Sequence, residues 1–464
     1  MNAALMFKAM MPEHLLLLGI VLVMVVDILG KYTRAALLVS VAAVTAAAGV
    51  AAMYAANGFT GIPFPGQFSV GPVALLAKAI VLALTVPILL MSRDDFEGGE
   101  FPALLLSSLY GVCLLISADS FLVMFLGLEL MSLPVYALIL LAYRRPESAE
   151  AALKYLILGG TASAMFLMGV SLLYGASGSM NLGVFGHALG ATDLMSRAAV
   201  VLVLLAFFLK AAIVPFHAWA PDAYEGASVT VTAYMATVIK AGVLLAIVRI
   251  FSTTKVASPI ADLLAVFPLV SIVWGNLAAM RQPSLRRMIA YSSIAHAGYL
   301  FYALLGDGAG RFQAVTFYVL AYGVVNVLAF AALPPAADDS ERDSLEHLKG
   351  LYHRNPFAAL VIGIAMLSLA GIPPFPGFIA KFLIFKNVLA AGYTTYAVIG
   401  LIGSYLGIYF YLRVIQFMFM GAPAADVVAE RTQASGLLAR SASVLCLVAT
   451  LLLAVLPSWI LERL

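Results

Sequence analysis

Apolar runs of about twenty residues recur from one end of this chain to the other, with polar residues confined to the short gaps between them. Wound as a helix, such a run matches the ~30 Å hydrocarbon core of a bilayer. The runs are continuously apolar rather than alternating, which excludes the period-two pattern of a membrane barrel. Lipid offers the backbone no hydrogen-bond partner, so each run must satisfy its own backbone groups as a helix. The pattern predicts an all-α membrane protein with about fourteen spans. They lie near 13–30, 34–56, 72–91, 101–117, 119–142, 151–176, 197–214, 228–252, 259–280, 285–305, 312–333, 356–388, 394–420 and 437–461. The first run lacks a small-residue cleavage site and flows into a second, so it reads as a span rather than a signal peptide. No gap holds a soluble domain. The longest polar connection, AADDSERDSLEHLKG at 336–350, reads as a solvated loop or a short amphipathic helix.

Composition narrows the class. The 464 residues are 63% hydrophobic and 11% charged, with a mean hydropathy of +1.04. Such a chain lacks the polar surface to cover a soluble globule. A net charge of +3 argues against a nucleic-acid partner. The two cysteines, Cys113 and Cys446, both lie in apolar runs and supply neither a disulfide framework nor an iron–sulfur ligand set.

Loop charges set an expected orientation. With the N-terminus outside, the inner loops hold Lys31, Arg34, Arg93, Arg144, Arg145, Arg281, Arg286, Arg287, Arg342, Lys349, Arg354, Arg431 and Arg440. The outer segments hold Lys8, Arg197, Arg249, Lys255, Arg311 and Arg463. The inner excess places both termini on the side away from the cytoplasm.

Against this background, ionisable residues inside spans stand out: Glu129, Lys210, Lys240 and Lys381. A charge at bilayer depth costs at least ~2.5–3.5 kcal/mol, so the default reading is an ion or proton path, or a buried counter-ion system. Lys240 sits at the centre of YMATVIKAGVLLAIV. Glu129, in FLGLELMSLPVYAL, is equally central and reads as the only deep carboxylate. Asp27 and Asp119 fall at span ends. Lys154, Lys386 and Arg413 lie near enough to span ends to snorkel, and for Lys154 a buried role stands equally open. Lys78 lies within the third span, its role open. For His217 a structural hydrogen bond and a proton relay are both open. For His296, a neutral imidazole that donates and accepts favours a relay between lysines over a packing role. Tyr224, Tyr234, Tyr299 and the hydroxyls at 228–232 and 292–293 read first as helix packing and second as holders of water.

Two spans carry proline breaks: FFLKAAIVPFHAWAPDAY with Pro215, and LSLAGIPPFPGFIAKFL with Pro373, Pro374 and Pro376. Proline removes a helical hydrogen bond and clashes with the preceding turn, so both helices should kink or unwind. Broken helices at membrane depth are tolerated where they line a cavity, and matching breaks in two halves point to an inverted repeat. Aligning Pro215-Phe216 with Pro374-Phe375 gives a constant offset and pairs the fourth to eighth spans with the ninth to thirteenth. Five spans is an odd number, so the two units must be inverted. The expected organisation is 1–100 for three N-terminal spans, 101–255 and 256–420 for the two five-helix repeats, and 421–464 for the last span.

These segments carry a resemblance. LGLELMSLPVYAL, ALKYLILGGTASAMFLMGVSLLYG, FFLKAAIVPFHAWAPDAYEGAS, VIKAGVLLAIVRI and IAYSSIAHAGY resemble the antiporter-like membrane subunits of respiratory complex I, the proton-translocating NADH:quinone oxidoreductase, over roughly residues 100–420. The family pairs a glutamate on its fifth span with a lysine on the broken seventh, and adds a central lysine on the eighth and a charged residue on the broken twelfth. Here Glu129, Lys210, Lys240 and Lys381 match. Lysine rather than glutamate at the twelfth-span position, and no long lateral helix after the fourteenth span, place the resemblance in the N-type branch. A cation/proton antiporter subunit is the rival, and a passive subunit whose buried charges only hold helices together is a third reading.

The residue types supply the chemistry. A lysine ammonium out of water can give up its proton near neutral pH. Glu129 would hold the proton on Lys210, and separating the pair would pass it on toward Lys240. The chain shows no nucleotide loop, metal cluster or flavin site, so energy must come from elsewhere. The resemblance implies that NADH, FMN, iron–sulfur clusters and quinone belong to other subunits. It also implies neighbouring antiporter-like subunits and membrane lipid as partners, with no isolated catalytic activity in this chain.

Overall fold

The computed structural model describes residues 3–30, 33–96, 98–142, 145–251, 260–306, 308–335, 342–420 and 436–463. Lys31, Arg144, Lys255, Arg431, positions 336–341 of the polar connection, and the expected unit boundaries at 255–256 and 421 lie outside the described residues. Among the described residues twelve helices are long and apolar enough to cross a bilayer. Two shorter apolar ones, Glu100–Ile116 and Pro356–Ala370, bring the spans to fourteen. Helix starts are fixed by side chains that the sequence places there. Ser120, Ser228, Ser284 and Asn355 each accept the backbone N–H of the residue three further on, satisfying a donor that the first turn leaves free.

The spans differ in depth. The eighth, Val229–Ile250, is wholly buried over its apolar window, and the tenth (Leu285–Leu305) and eleventh (Gly310–Ala331) are 94% buried. The first, second, sixth, thirteenth and fourteenth are at most one-third buried and form the rim. The third span, Pro72–Met91, joins the N-terminal helices to the core, packing on the second, eleventh and fourteenth. Successive spans meet through small residues: a Cβ on Gly111 would fall 2.3 Å from the backbone N of Met131, and one on Gly275 would fall 2.7 Å from Tyr291 O. The fourth and fifth spans thus dock as the ninth and tenth do.

Both proline-bearing spans break, and they break alike. The seventh helix, Leu194–Ala211, stops with Ala212 in the left-handed region (φ 61°). Ala212 N donates to Leu209 O, Ile213 N to Phe208 O and Phe216 N to Ile213 O before helix resumes at Trp219–Gly226. In the twelfth span Pro356–Ala370 ends at Gly371 (φ 82°). Gly371 N donates to Ser368 O, Ile372 N to Leu367 O and Phe375 N to Ile372 O, and helix resumes at Pro376–Ala390. Each bond in the first break has a counterpart in the second at the same sequence offset. The five helices of the later block begin within a few residues of that offset from the earlier five.

Two elements are absent from the sequence pattern. A hairpin of Gly61–Phe64 and Phe68–Val70 covers one end of the bundle, below called the hairpin end. A π-helical stretch, Met235–Ile239, interrupts the eighth span immediately before Lys240. Such insertions are rare and concentrate at functional positions.

Candidate functional site

Lys210 occupies the last turn of the first half of the broken seventh helix, where carbonyls lack helical partners and the dipole favours a cation. Its Nζ lies 3.8 Å from Glu129 Oε1, with side-chain exposures of 4% and 24%. It also donates to Ser132 Oγ at 3.0 Å. Ser163 of the sixth span donates to the same carboxylate oxygen of Glu129. Trp219, just past the break, donates Nε1–H to Leu209 O at 2.8 Å. Glu129 and Lys210 therefore meet as a pair across three helices.

Lys240, just after the π-helical stretch, is buried. Its Nζ donates to Ser293 O at 2.5 Å and to Ser293 Oγ, which also meets the Tyr224 hydroxyl at 3.3 Å. Beside Ser293 on the tenth span, Ser292 Oγ lies 2.5 Å from the Tyr411 hydroxyl. Tyr411 continues to His296 Nε2 at 3.1 Å, and His296 Nδ1 to the Tyr318 hydroxyl at 2.7 Å. A cavity of about 10 Å³ opens beside His296, lined by Tyr318, Tyr322, Ser368, Leu369 and Ala380 among others. That is on the order of the room one water needs. Lys381 follows Ala380. Its Nζ donates to Leu369 O and Ala370 O, both at 3.1 Å, at the C-terminal end of the preceding half-helix. The Tyr299 ring lies 5.2 Å away. Two hydrogen-bonded groups result, Lys240–Ser293–Tyr224 and Ser292–Tyr411–His296–Tyr318, which meet at the neighbouring Ser292 and Ser293 of the tenth span and bring together helices from both five-helix blocks.

The remaining candidates fall elsewhere. Lys154 is 42% exposed and pairs with Glu150 and Asp222, each at 2.6 Å. Asp222 also meets Arg287, which pairs with Glu225. His217 Nε2 accepts from Trp274 Nε1 at 3.0 Å. Arg413 donates to Met280 O at 2.8 Å and closes the end of the ninth span. Lys386 is exposed. Pro215, Pro373, Pro374 and Pro376 mark the breaks.

One expectation is corrected: Glu129 is not the only deep carboxylate, because Glu13 is fully buried and lies 2.5 Å from the equally buried Lys78. Nothing in its place at the start of the first span announces this burial; the fourth span packs along that helix and the third supplies Lys78. Of the two readings of the 336–350 connection, its described part takes the short amphipathic helix, Leu345–Leu348, with both leucines buried and Glu346 exposed. Asp343 is fully buried and accepts from Arg286 Nε, Nη2 and backbone N and from Ser284 Oγ. Arg342 pairs with Asp95 at 2.7 Å.

Sequence reading missed Ser132, Ser163, Tyr318, Tyr322 and Tyr411 as parts of the site. Ser132 lies three residues after Glu129, and Tyr318 and Tyr322 four apart, so both pairs share helix faces that spacing makes readable. Ser163 and Tyr411 come from distant spans and carry no local signal. Tyr224 and Ser293, read first as packing groups, touch the Lys240 site directly.

A family model described as NADH:quinone oxidoreductase/Mrp antiporter, TM, matches residues 118–407. A protein of Pelobacter propionicus named NADH-quinone oxidoreductase subunit N is 36% identical over 410 residues, 88% of each chain. A chain of respiratory complex I from Thermus thermophilus with bound aureothin superposes with a TM-score of 0.83 at 33% identity, covering 97% of this chain and 98% of that one. A chain of the Mrp complex from Dietzia sp. reaches the same TM-score at 24% identity, covering 100% and 96%, which shows a shared fold.

Proposed function

We infer function from one premise: the chain belongs to the NADH:quinone oxidoreductase/Mrp antiporter family and, within it, to the subunit N group. It is a multi-pass, proton-translocating membrane subunit of NADH:quinone oxidoreductase and assembles with other membrane subunits of that complex. The finer proposal is that protons pass from the Glu129–Lys210 pair to Lys240 and through His296 to Lys381. The observation supporting it is the placement of two hydrogen-bonded groups on the buried tenth span, one holding Lys240 through Ser293 and the other running from Ser292 through Tyr411 to His296, which borders the cavity against the Lys381 half-helix. Water completes the path at the ~10 Å³ cavity. The two five-helix blocks are the two halves of this device, 101–255 and 256–420, and Lys154 and His217 stand near its approach from the end opposite the hairpin. The hairpin end, with both termini, faces away from the cytoplasm. NADH, FMN, iron–sulfur clusters and quinone act in other subunits, and this chain contributes no redox step. A cation/proton antiporter role is weaker, because likeness to the Mrp chain stops at 24% identity.

Replacing Lys240 tests the reading. Lys240→Ala should abolish or strongly reduce proton pumping and the quinone reduction coupled to it. Artificial-acceptor NADH oxidation should persist, since that chemistry lies elsewhere. Lys240→Arg should be equally poor, because arginine does not release its proton in the working range. Full pumping by the arginine variant would show that a fixed charge suffices, and Lys240 would not be a carrier.

A further inference from the structure

We propose that Glu13 and Lys78 form a further proton-exchanging pair, a branch that releases protons toward the hairpin end. This rests on the translocation reading above. Lys78 Nζ lies 2.5 Å from Glu13 Oε1, and neither side chain has any exposed surface. Holding helices together does not explain such a pair. A buried ion pair costs several kcal/mol of desolvation per ion, and well-packed apolar residues commonly stabilise as much or more. The surrounding contacts are already apolar: Leu16 of the first span, Leu75 and Val81 of the third and Leu106 of the fourth are all fully buried.

The placement supplies what a proton branch needs. On the core side, Glu13 lies close enough to Tyr110 and Cys113 of the fourth span to act on both electrostatically. Cys113 is buried on the fourth span, which packs against the eighth. A Cβ built on Gly242, two residues past Lys240, would lie 3.1 Å from Val112. One helix thickness, the fourth span, therefore stands between the pair and the helix of the central lysine. On the hairpin side, Ala74 and Ala77 line a crevice of about 400 Å³ that also holds the Asp119–Arg249 ion pair. Lys78 is the next residue. The hairpin's Phe68 ring sits 4.9 Å from its ammonium, and neighbouring Ser69 accepts from Arg249. The third helix, whose Ala74 and Ala77 face the crevice, thus carries Lys78 beside a polar space large enough for water.

The step is a proton transfer without redox. An N–H bond of Lys78 breaks, an O–H bond forms on Glu13 and both groups become neutral. Glu13 then gives the proton to crevice water, and Lys78 regains one from the core side.

The test uses the intact complex in inverted membrane vesicles. Lys78→Arg keeps the charge and the pairing but cannot exchange its proton. It should assemble, oxidise NADH with an artificial acceptor, and lose the share of pumping carried by this exit, about half if the two exits carry equal flux, because arginine cannot perform the acid–base step. The uncharged double variant Glu13→Gln with Lys78→Met should show the same loss. Normal pumping by either variant overturns the proposal. Failure of both to assemble also overturns it, because the pair would then be a structural staple. Lys240→Arg runs alongside: if it too pumps normally, the translocation reading fails as a whole, whereas normal pumping by Lys78→Arg alone removes only this branch.

Discussion

Replacing Glu129 with glutamine removes one charge, nearly preserves shape and leaves a group that can still bond Ser163. The partner is Lys210, 3.8 Å away. At that distance two unit charges attract by about 4 kcal/mol at an effective dielectric near 20. Glu129 keeps 24% of its side chain exposed, so solvent screens part of this, and about 2 kcal/mol is a conservative remainder. Each ~1.4 kcal/mol that reaches the barrier is tenfold in rate. Coupled turnover of Glu129→Gln should therefore fall by about ten- to thirtyfold. Glu129→Asp retains the charge and draws it back by one methylene, to about 5 Å, which forfeits ~1 kcal/mol or less and slows turnover by about two- to fivefold. The assay is NADH-driven acidification of inverted vesicles, with artificial-acceptor NADH oxidation reporting assembly. A glutamine variant that assembles and pumps at the normal rate would refute the reasoning, because the pair would then only hold helices together.

Two further substitutions probe the scaffold. A Cβ at Gly377 would sit 1.8 Å from Ser368 O across the twelfth-span break, so Gly377→Ala should cost ~1–3 kcal/mol or more. It should push the Lys381 half-helix off its neighbour and suppress pumping; a variant with normal pumping would show that the two halves slide freely. Asp343→Asn leaves the buried Arg286 guanidinium without its carboxylate and should destabilise by about 3–5 kcal/mol. Heat-induced loss of the subunit from the complex reads this out, and a joint change of Asp343→Leu and Arg286→Met should recover most of it.

What the sequence made legible follows one principle: lipid makes local signals decisive. Span positions, the breaks at Pro215 and Pro373–Pro376, and the candidate lysines could be read because each is costly in hydrocarbon without a compensating structure. Partners were harder. Glu129 and Lys210 could be paired on charge alone, but Ser163 and Tyr411 reach the site from other spans, and periodicity carries no information about which helix faces which. Glu13 drew no notice because depth along a span is not depth in the protein: residues near a helix end are buried when other helices cover that end. At 342–350 the short helix was among the readings, but the burial of its charges was not legible, because their partners, Arg286 and Asp95, lie far away in sequence. The π-helical stretch before Lys240 has no proline or glycine to announce it.

The two breaks show how one electrostatic niche serves both halves. A half-helix that ends inside the bilayer presents free carbonyls and the negative end of its dipole, a setting suited to a cation. In the seventh span the cation is Lys210, from the terminating helix itself, and it turns to Glu129 while Trp219 satisfies Leu209 O. In the twelfth the cation is Lys381, from the helix beyond the break, and it bonds Leu369 O and Ala370 O directly. The difference has a chemical consequence. A lysine bonded to two carbonyls needs two N–H groups, and a neutral amine still has two, so Lys381 can lose its proton and keep both bonds. Lys210 is held partly by a carboxylate 3.8 Å away, an attraction that needs the ammonium. Loss of its proton would therefore loosen one break while leaving the other intact. On the proposed proton path, this would let the first half change when its proton moves on while the second hands its proton over unchanged.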